Sequence, residues 1–247
     1  MTLITELETD VVYPDSDGRP MAESDFQREP LIYAVNALRR WFHAREDVYV
    51  SGNILLYYEQ GNPRAAVAPD VLVVLGAPSH NRRSYKLWEE PKAPDFVIEI
   101  TSRATVSEDQ GNKRGLYAYL GVSEYWQYDP TGDYLKPALA GFRLIDRNYW
   151  PIPVRSDAEG TLVGVSEVLG LMLRLDGNGF HFADAETGQL LLTYDELEEA
   201  RLEAEAVRFE TERALRDAEL KATREAALRH EAEQRIAALE AQLRERE

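Results

Sequence analysis

The chain has 247 residues, 44% of them hydrophobic and 10% aromatic, with no cysteine and a formal net charge of -16. This composition suits a globular core with an appendage or a second small domain. It excludes disulfides, thiolate metal sites and a cysteine nucleophile. The acidic balance counts against tight, non-specific nucleic-acid binding, which draws on phosphate neutralisation by Lys and Arg, although a local basic patch remains compatible with it.

The first twenty residues carry acids and no apolar segment, so no secretory signal is expected there. No apolar run approaches the roughly 20 residues of a membrane helix. Together with the missing cysteines, this makes a soluble cytoplasmic protein without membrane contact the expectation.

In chain order, Leu31, Ala34, Val35, Leu38, Trp41 and Phe42 recur at helical spacing and predict a first helix. Asn53 to Glu59 (NILLYYE) reads as a strand followed by a Gly-Asn-Pro turn, and Val67 to Leu75 (VAPDVLVVL) as a second strand. After the polar and aromatic loop HNRRSYKLWEEPKAP, Pro94 to Thr101 (PDFVIEIT) forms a third. Ser107 with Gln110 three residues on has the capping-box spacing for the next helix, and Gly121 stands where a C-terminal glycine belongs. Ser123 to Tyr128 (SEYWQY) is a fourth strand, parallel to the third across the helical crossover. Short strands follow from Tyr134 to Phe182. From Asp195 to Glu247 there is no Gly or Pro, and Leu228, Ala232, Ile236, Leu239 and Leu243 step by four and three, a seam that a partner helix would bury. The expected organisation is therefore an α/β domain over 1–194 and a helical coiled-coil tail over 195–247; a lone charged helix is the alternative for the tail.

Alternation along the second strand puts Asp70, Leu72 and Val74 on one face, and along the third Val97, Glu99 and Thr101. Both strands are apolar on both faces and so belong inside a sheet, where a carboxylate is costly unless it is paired or bound to a cation. Lys113, Leu116, Tyr117 and Leu120 form one helical stripe, which turns Lys113 inward with its apolar neighbours. Two inward carboxylates beside an inward ammonium suit metal-assisted phosphodiester hydrolysis with Mg²⁺ or Mn²⁺. A structural salt bridge among the same three residues is the competing explanation. The four histidines are scattered, Ser102 has no partnered base nearby, and no phosphate-cradling glycine motif is present.

The strings APDVLVVLG, PDFVIEITS, EDQGNKRGLYAYLGV and EYWQYDP, in this order and spacing, resemble the Uma-two family of restriction-endonuclease-like proteins, part of the PD-(D/E)XK nuclease superfamily. The resemblance runs from about Tyr13 to Tyr194. It implies an αβββαβ core with added β-strands, Mg²⁺ dependence, and catalysis by Asp70 and Glu99. The superfamily's lysine usually stands two residues after the acid, where this chain has Thr101; Lys113 is where a lysine migrated to the neighbouring helix would lie. Glu23 resembles the extra acid that many such nucleases add to the metal site, against the simpler reading of a helix N-terminal charge. Arg82, Arg83 and Lys86, set among Tyr85 and Trp88, are the candidate substrate contacts, with Arg103 and Arg114 as extensions of that patch. The function expected is a metal-dependent endonuclease acting on DNA, homodimeric through its tail. The alternative is a catalytically inactive nuclease-fold module that assembles through the same tail.

Overall fold

A computed structural model describes residues 11–16, 24–102 and 105–244, with side chains as far as 238. Glu23 and Arg103 lie outside the described residues. Contacts divide the chain into two units, Met1–Thr193 and Tyr194–Glu247.

The first unit opens with helix α1 (Asp25–Trp41), which buries Tyr33, Ala34, Ala37 and Leu38 along one stripe. Thirteen strands follow: β1 (Val48–Ser51), β2 (Leu56–Tyr57), β3 (Ala66–Val67), β4 (Val71–Leu75), β5 (Tyr85–Lys86), β6 (Phe96–Ile100), β7 (Glu124–Tyr128), β8 (Leu139–Ile145), β9 (Asn148–Ile152), β10 (Val154–Ser156), β11 (Leu162–Ser166), β12 (Leu171–Asp176) and β13 (Gly179–Asp184). Between β6 and β7 lies a composite helix of α2 (Val106–Glu108), a π-helical turn (Asp109–Lys113) and α3 (Arg114–Leu120).

The central sheet has the order β1-β4-β6-β7-β8-β9. Among the described residues β6 and β7, joined by the composite helix, pair parallel, and the other neighbours in this sheet pair antiparallel. The core therefore reads αβββαβ, with β8 and β9 added at one edge. A four-stranded meander, β10 to β13, and a small β3-β2-β5 sheet complete the unit.

Period-two alternation divides the packing into two layers. Val71, Val73, Phe96, Ile98, Trp126 and Tyr128 point to α1 and the meander. Leu72, Val74, Val97 and Tyr125 point to Tyr117 of α3 and to Leu56 and Tyr85 of the small sheet. Trp126 is fully buried where two glycines make room for it: a Cβ on Gly141 or Gly164 would stand 2.6 or 2.7 Å from the indole ring.

Three expectations need correction. The first core strand is Val48–Ser51, whereas the NILLYYE segment keeps only the two residues of β2, in the small sheet. The run from Val67 to Leu75 is broken before Asp70, because Pro69 has no N–H to give to a ladder, and β4 begins at Val71. Ser107 lies inside α2 rather than capping it. Thr105 is the N-cap residue and makes no side-chain cap bond, and its Oγ1 instead accepts the N–H of Ser102 at 3.1 Å. Gly121 does end α3 in the left-handed region, at φ 85°.

The second unit is one helix, α4 (Tyr194–Arg244), of 51 residues. All of its residues from 201 to 238 are exposed, Leu202, Phe209, Leu215, Leu228 and Ile236 among them. No described helix is long and apolar enough to cross a membrane.

Candidate active site

Asp70 is fixed by its backbone before its side chain acts. Asn53 donates its N–H towards the carbonyls of Pro69 (3.0 Å) and Asp70 (3.2 Å). Gly52 permits this approach, since a Cβ there would lie 2.6 Å from the Asp70 carbonyl oxygen. In the antiparallel ladder of β4 and β6, Val71 faces Ile98. Continuing that register by one residue sets Asp70 opposite Glu99, and opposite residues share a face. The Oδ2 of Asp70 accepts the backbone N–H of Ile100 at 2.7 Å.

Glu99 is fully buried in the middle of the sheet. Its Oε1 accepts the Tyr117 hydroxyl at 2.6 Å, and its Oε2 accepts the ammonium of Lys113 at 2.8 Å. Lys113 Nζ also lies 3.0 Å from Oδ1 of Asp109. Asp109, Lys113 and Tyr117 succeed one another at intervals of four residues and so stay on the inward side of the composite helix. Tyr125 of β7 donates its hydroxyl to the Asp109 carbonyl at 2.9 Å, which ties the π-helical turn to the sheet. Gln127, opposite Glu99 across the parallel ladder, donates in turn to the Tyr125 hydroxyl.

The electrostatics follow from three carboxylates around one ammonium in a poorly solvated place. Burial, and then the charge of Glu99, push the Asp70 carboxyl well above its ordinary range, against the pull of Lys113 and the Ile100 N–H. Burial also raises Glu99; Lys113 opposes this, and Asp109 adds to it. For Lys113, burial alone would lower the proton affinity. The charges of Glu99, Asp109 and Asp70, with the hydrogen bond to Glu99, outweigh it and hold the ammonium charged. Burial and Glu99 keep Tyr117 protonated.

Two buried groups here lack a hydrogen-bond partner. Both Oδ atoms of Asp109 are in this position, the 3.0 Å approach of Lys113 being an ion pair without hydrogen-bond geometry, and so is Oγ1 of Thr101, two residues after Glu99. Among the described residues no three His, Cys, Asp or Glu side chains already form a group that could hold a metal ion.

The basic loop differs from expectation. Arg82 is buried: its guanidinium makes a two-pronged bridge to Glu90, at 2.6 and 2.9 Å, and lies 4.1 Å above the ring of Tyr49. It holds the loop together and is not free for a phosphate, which corrects its reading as a substrate contact. Lys86 pairs with Glu89 at 3.1 Å and keeps a quarter of its side-chain surface open, while Arg83 is exposed. Arg114 lies 4.0 Å over Phe142. It lines an open groove of about 570 Å³ with Tyr119, Arg147 and Tyr149, on the outward side of α3 and not over the carboxylates. Of the histidines, His181 packs against Tyr33, and His43, His80 and His230 are exposed.

Sequence reasoning missed two members of this cluster. Asp109 was not singled out for the site, and Tyr117 was counted as a member of the apolar stripe. The four-residue spacing of Asp109, Lys113 and Tyr117 is the signal that joins them.

Among solved structures, one described as a putative nuclease belonging to DUF820 from Anabaena variabilis is similar at 13% identity, over 61% of this chain and 76% of that one, with a TM-score of 0.44. No curated protein matches. Residues 5–176 match the family Uma2, described as "Putative restriction endonuclease", and a match of this extent shows that the chain belongs to that family.

Proposed function

We propose that this protein is a metal-dependent endonuclease hydrolysing DNA phosphodiester bonds, with Asp70, Glu99 and Lys113 as its catalytic residues. The observation that carries the reading is the charge imbalance on the α3 face of the sheet. Asp70, Glu99 and Asp109 stand against the single ammonium of Lys113, a surplus of two negative charges when all are ionised. A purely structural salt bridge has no reason to bury that excess.

Mg²⁺ or Mn²⁺ fits the donor set, which offers hard carboxylate oxygens and no thiolate. Mg²⁺ is commonly held by only one or two carboxylates, water and substrate phosphate, so a prebuilt cage of three is not required. Asp70 and Glu99 would hold the ion, which when bound polarises a phosphate and acidifies a water. Tyr117 fixes the orientation of Glu99 through Oε1. Lys113 presents a permanent positive charge to the charge that grows on the phosphate, or to the attacking water. Arg83 and Lys86 contribute phosphate contacts.

The test is Mg²⁺-dependent nicking of supercoiled plasmid by the wild type and by Asp70→Ala. Nicking by the wild type alone supports the reading; equal nicking by both, or none by either, removes it.

A second reading, a catalytically inactive nuclease fold that acts by assembly, draws on the unpartnered Leu228 and Ile236 of α4. In either reading the seam serves homodimerisation through a coiled coil, which sedimentation of the full chain measures. We take the compartment to be the cytoplasm, in keeping with the absence of cysteine.

A further inference from the structure

The composite helix between β6 and β7 contains an acid that the Asp70, Glu99 and Lys113 assignment leaves without a task. Asp109 is 1% exposed, and neither of its carboxylate oxygens has a hydrogen-bond partner. A buried acceptor left unpaired costs roughly 1–3 kcal/mol, and more when it is charged. Its single ionic contact is the shared ammonium of Lys113, 3.0 Å from Oδ1 and 2.8 Å from Oε2 of Glu99. That ammonium marks a point within reach of two carboxylates, on the face that also carries Asp70.

The local backbone makes the placement specific. The π-helical turn Asp109–Lys113 widens the helix where these two residues turn inward, an irregularity that tends to mark functional positions. The turn is held in register by the Tyr125 hydroxyl on the Asp109 carbonyl. A residue needed only for helix N-terminal charge would sit in solvent, as Glu108 does.

We propose that Asp109 shares with Glu99 the divalent cation of this site, at the point now taken by the ammonium of Lys113. This rests on the metal-dependent reading above. Asp109 would give its orphaned oxygens to the ion, and Lys113, no longer needed between the two acids, would be free to face the substrate phosphate.

The test is calorimetric titration of the full-length protein with Mn²⁺, without substrate, for the wild type and Asp109→Asn. The expected result is a fall in affinity of at least about tenfold in the variant, the range in which even outer-shell partners of a metal act. If Asp109→Asn fails to fold, Lys113→Ala is compared with Asp109→Asn/Lys113→Ala. No ammonium then needs pairing, and the same tenfold loss is expected. Wild-type affinity retained without Asp109 overturns this inference and leaves the nuclease reading standing. No Mn²⁺ binding by the wild type overturns both.

Discussion

Two glutamates on neighbouring strands of one sheet are fully buried, and they illustrate different uses of a buried charge. Glu124 of β7 faces α1 and the meander with Trp126; Glu99 of β6 faces α3 with Val97. Every contact of Glu124 comes from a donor: the Trp126 indole at 3.2 Å, Arg143 at 3.2 Å and the Glu167 N–H at 3.0 Å. Arg143 extends to the exposed Glu167 at 2.8 Å, so the second carboxylate on this cation stands in water. Glu99 shares its one cation with Asp109, and its charge raises the proton affinity of a third carboxyl, Asp70, on the same face. Burial is equal in the two places, and both glutamates accept on both oxygens; what differs is the acid that shares the cation, exposed Glu167 in one place and buried Asp109, with no hydrogen-bond partner, in the other. A satisfied buried charge fixes a fold, whereas an unsatisfied one marks a place where something else is meant to bind.

The same substitution at both positions tests this contrast, with the largest effects expected in activity. Glu99→Gln and Lys113→Ala should each lower plasmid nicking by about a hundredfold or more, while Glu124→Gln leaves the activity of the folded protein unchanged. Glu99→Gln should also keep or raise the melting temperature, because it removes one surplus charge and the Tyr117 hydroxyl can turn to accept the new amide. Lys113→Ala should keep its Mn²⁺ affinity or bind more tightly, since a neighbouring positive charge repels the ion. Equal losses of activity at Glu99 and Glu124 would erase the distinction between the two sites.

Stability should respond on the other face. In Glu124→Gln the amide nitrogen must meet a donor, because both Glu124 oxygens accept; one mismatched buried group costs roughly 1–3 kcal/mol. Gly141→Ala, on the same side, forces a methyl group into the Trp126 ring and should cost a similar amount, about 1–3 kcal/mol. Urea unfolding followed by tryptophan fluorescence measures both. A Gly141→Ala protein as stable as the wild type would mean that the Trp126 layer is not close-packed.

Much of this arrangement was legible in the sequence, because strand alternation and helical period are local. They set Asp70 and Glu99 on one face, turned Lys113 towards it, and gave the αβββαβ order. The length and place of β1 were not legible: Val48–Ser51 is too short to show a period, and the longer NILLYYE run drew the assignment. Asp109 was hidden for another reason. Its place four residues before Lys113 is a helical spacing, but an acid near the start of a helix also suits the dipole, and the local sequence does not separate the two. Arg82 was misjudged because its partner Glu90 is eight residues away in a loop without periodicity.

A smaller effect is expected from pH. The folded-state proton affinities of Asp70 and Glu99 are raised above the unfolded values. Their contribution to stability is therefore fully present below the unfolded values, near 3.8 and 4.5, and is lost as pH rises through the raised folded ones. Without added metal, the melting temperature should fall across the weakly acidic range as these carboxyls ionise. With saturating Mg²⁺ the slope should flatten or reverse, since the ion binds the ionised form. Parallel slopes with and without Mg²⁺ would detach the metal from these carboxylates.

The smallest effect belongs to α4, where the same residue types stand in water. Arg201 lies 2.7 Å from Glu198, as close as Lys113 lies to Glu99, and 3.9 Å from Glu205, yet its side chain is 62% exposed. An exposed pair gains little in a high dielectric and is screened within about 8 Å at physiological salt. Arg201→Ala also replaces a good helix former with the best one. Its melting temperature should therefore match the wild type, within a stability change of about 0.5 kcal/mol. Removing residues 195–247 should likewise leave 1–194 folded and soluble, because the tail's apolar side chains from 201 to 238 are exposed. If Arg201→Ala costs more than about 1 kcal/mol, or the shortened chain no longer unfolds cooperatively, the charges of α4 are held by more than solvent. Chemical kind, distance and burial would then no longer separate Glu99 from an ordinary surface acid, and completeness of pairing alone would have to carry the difference.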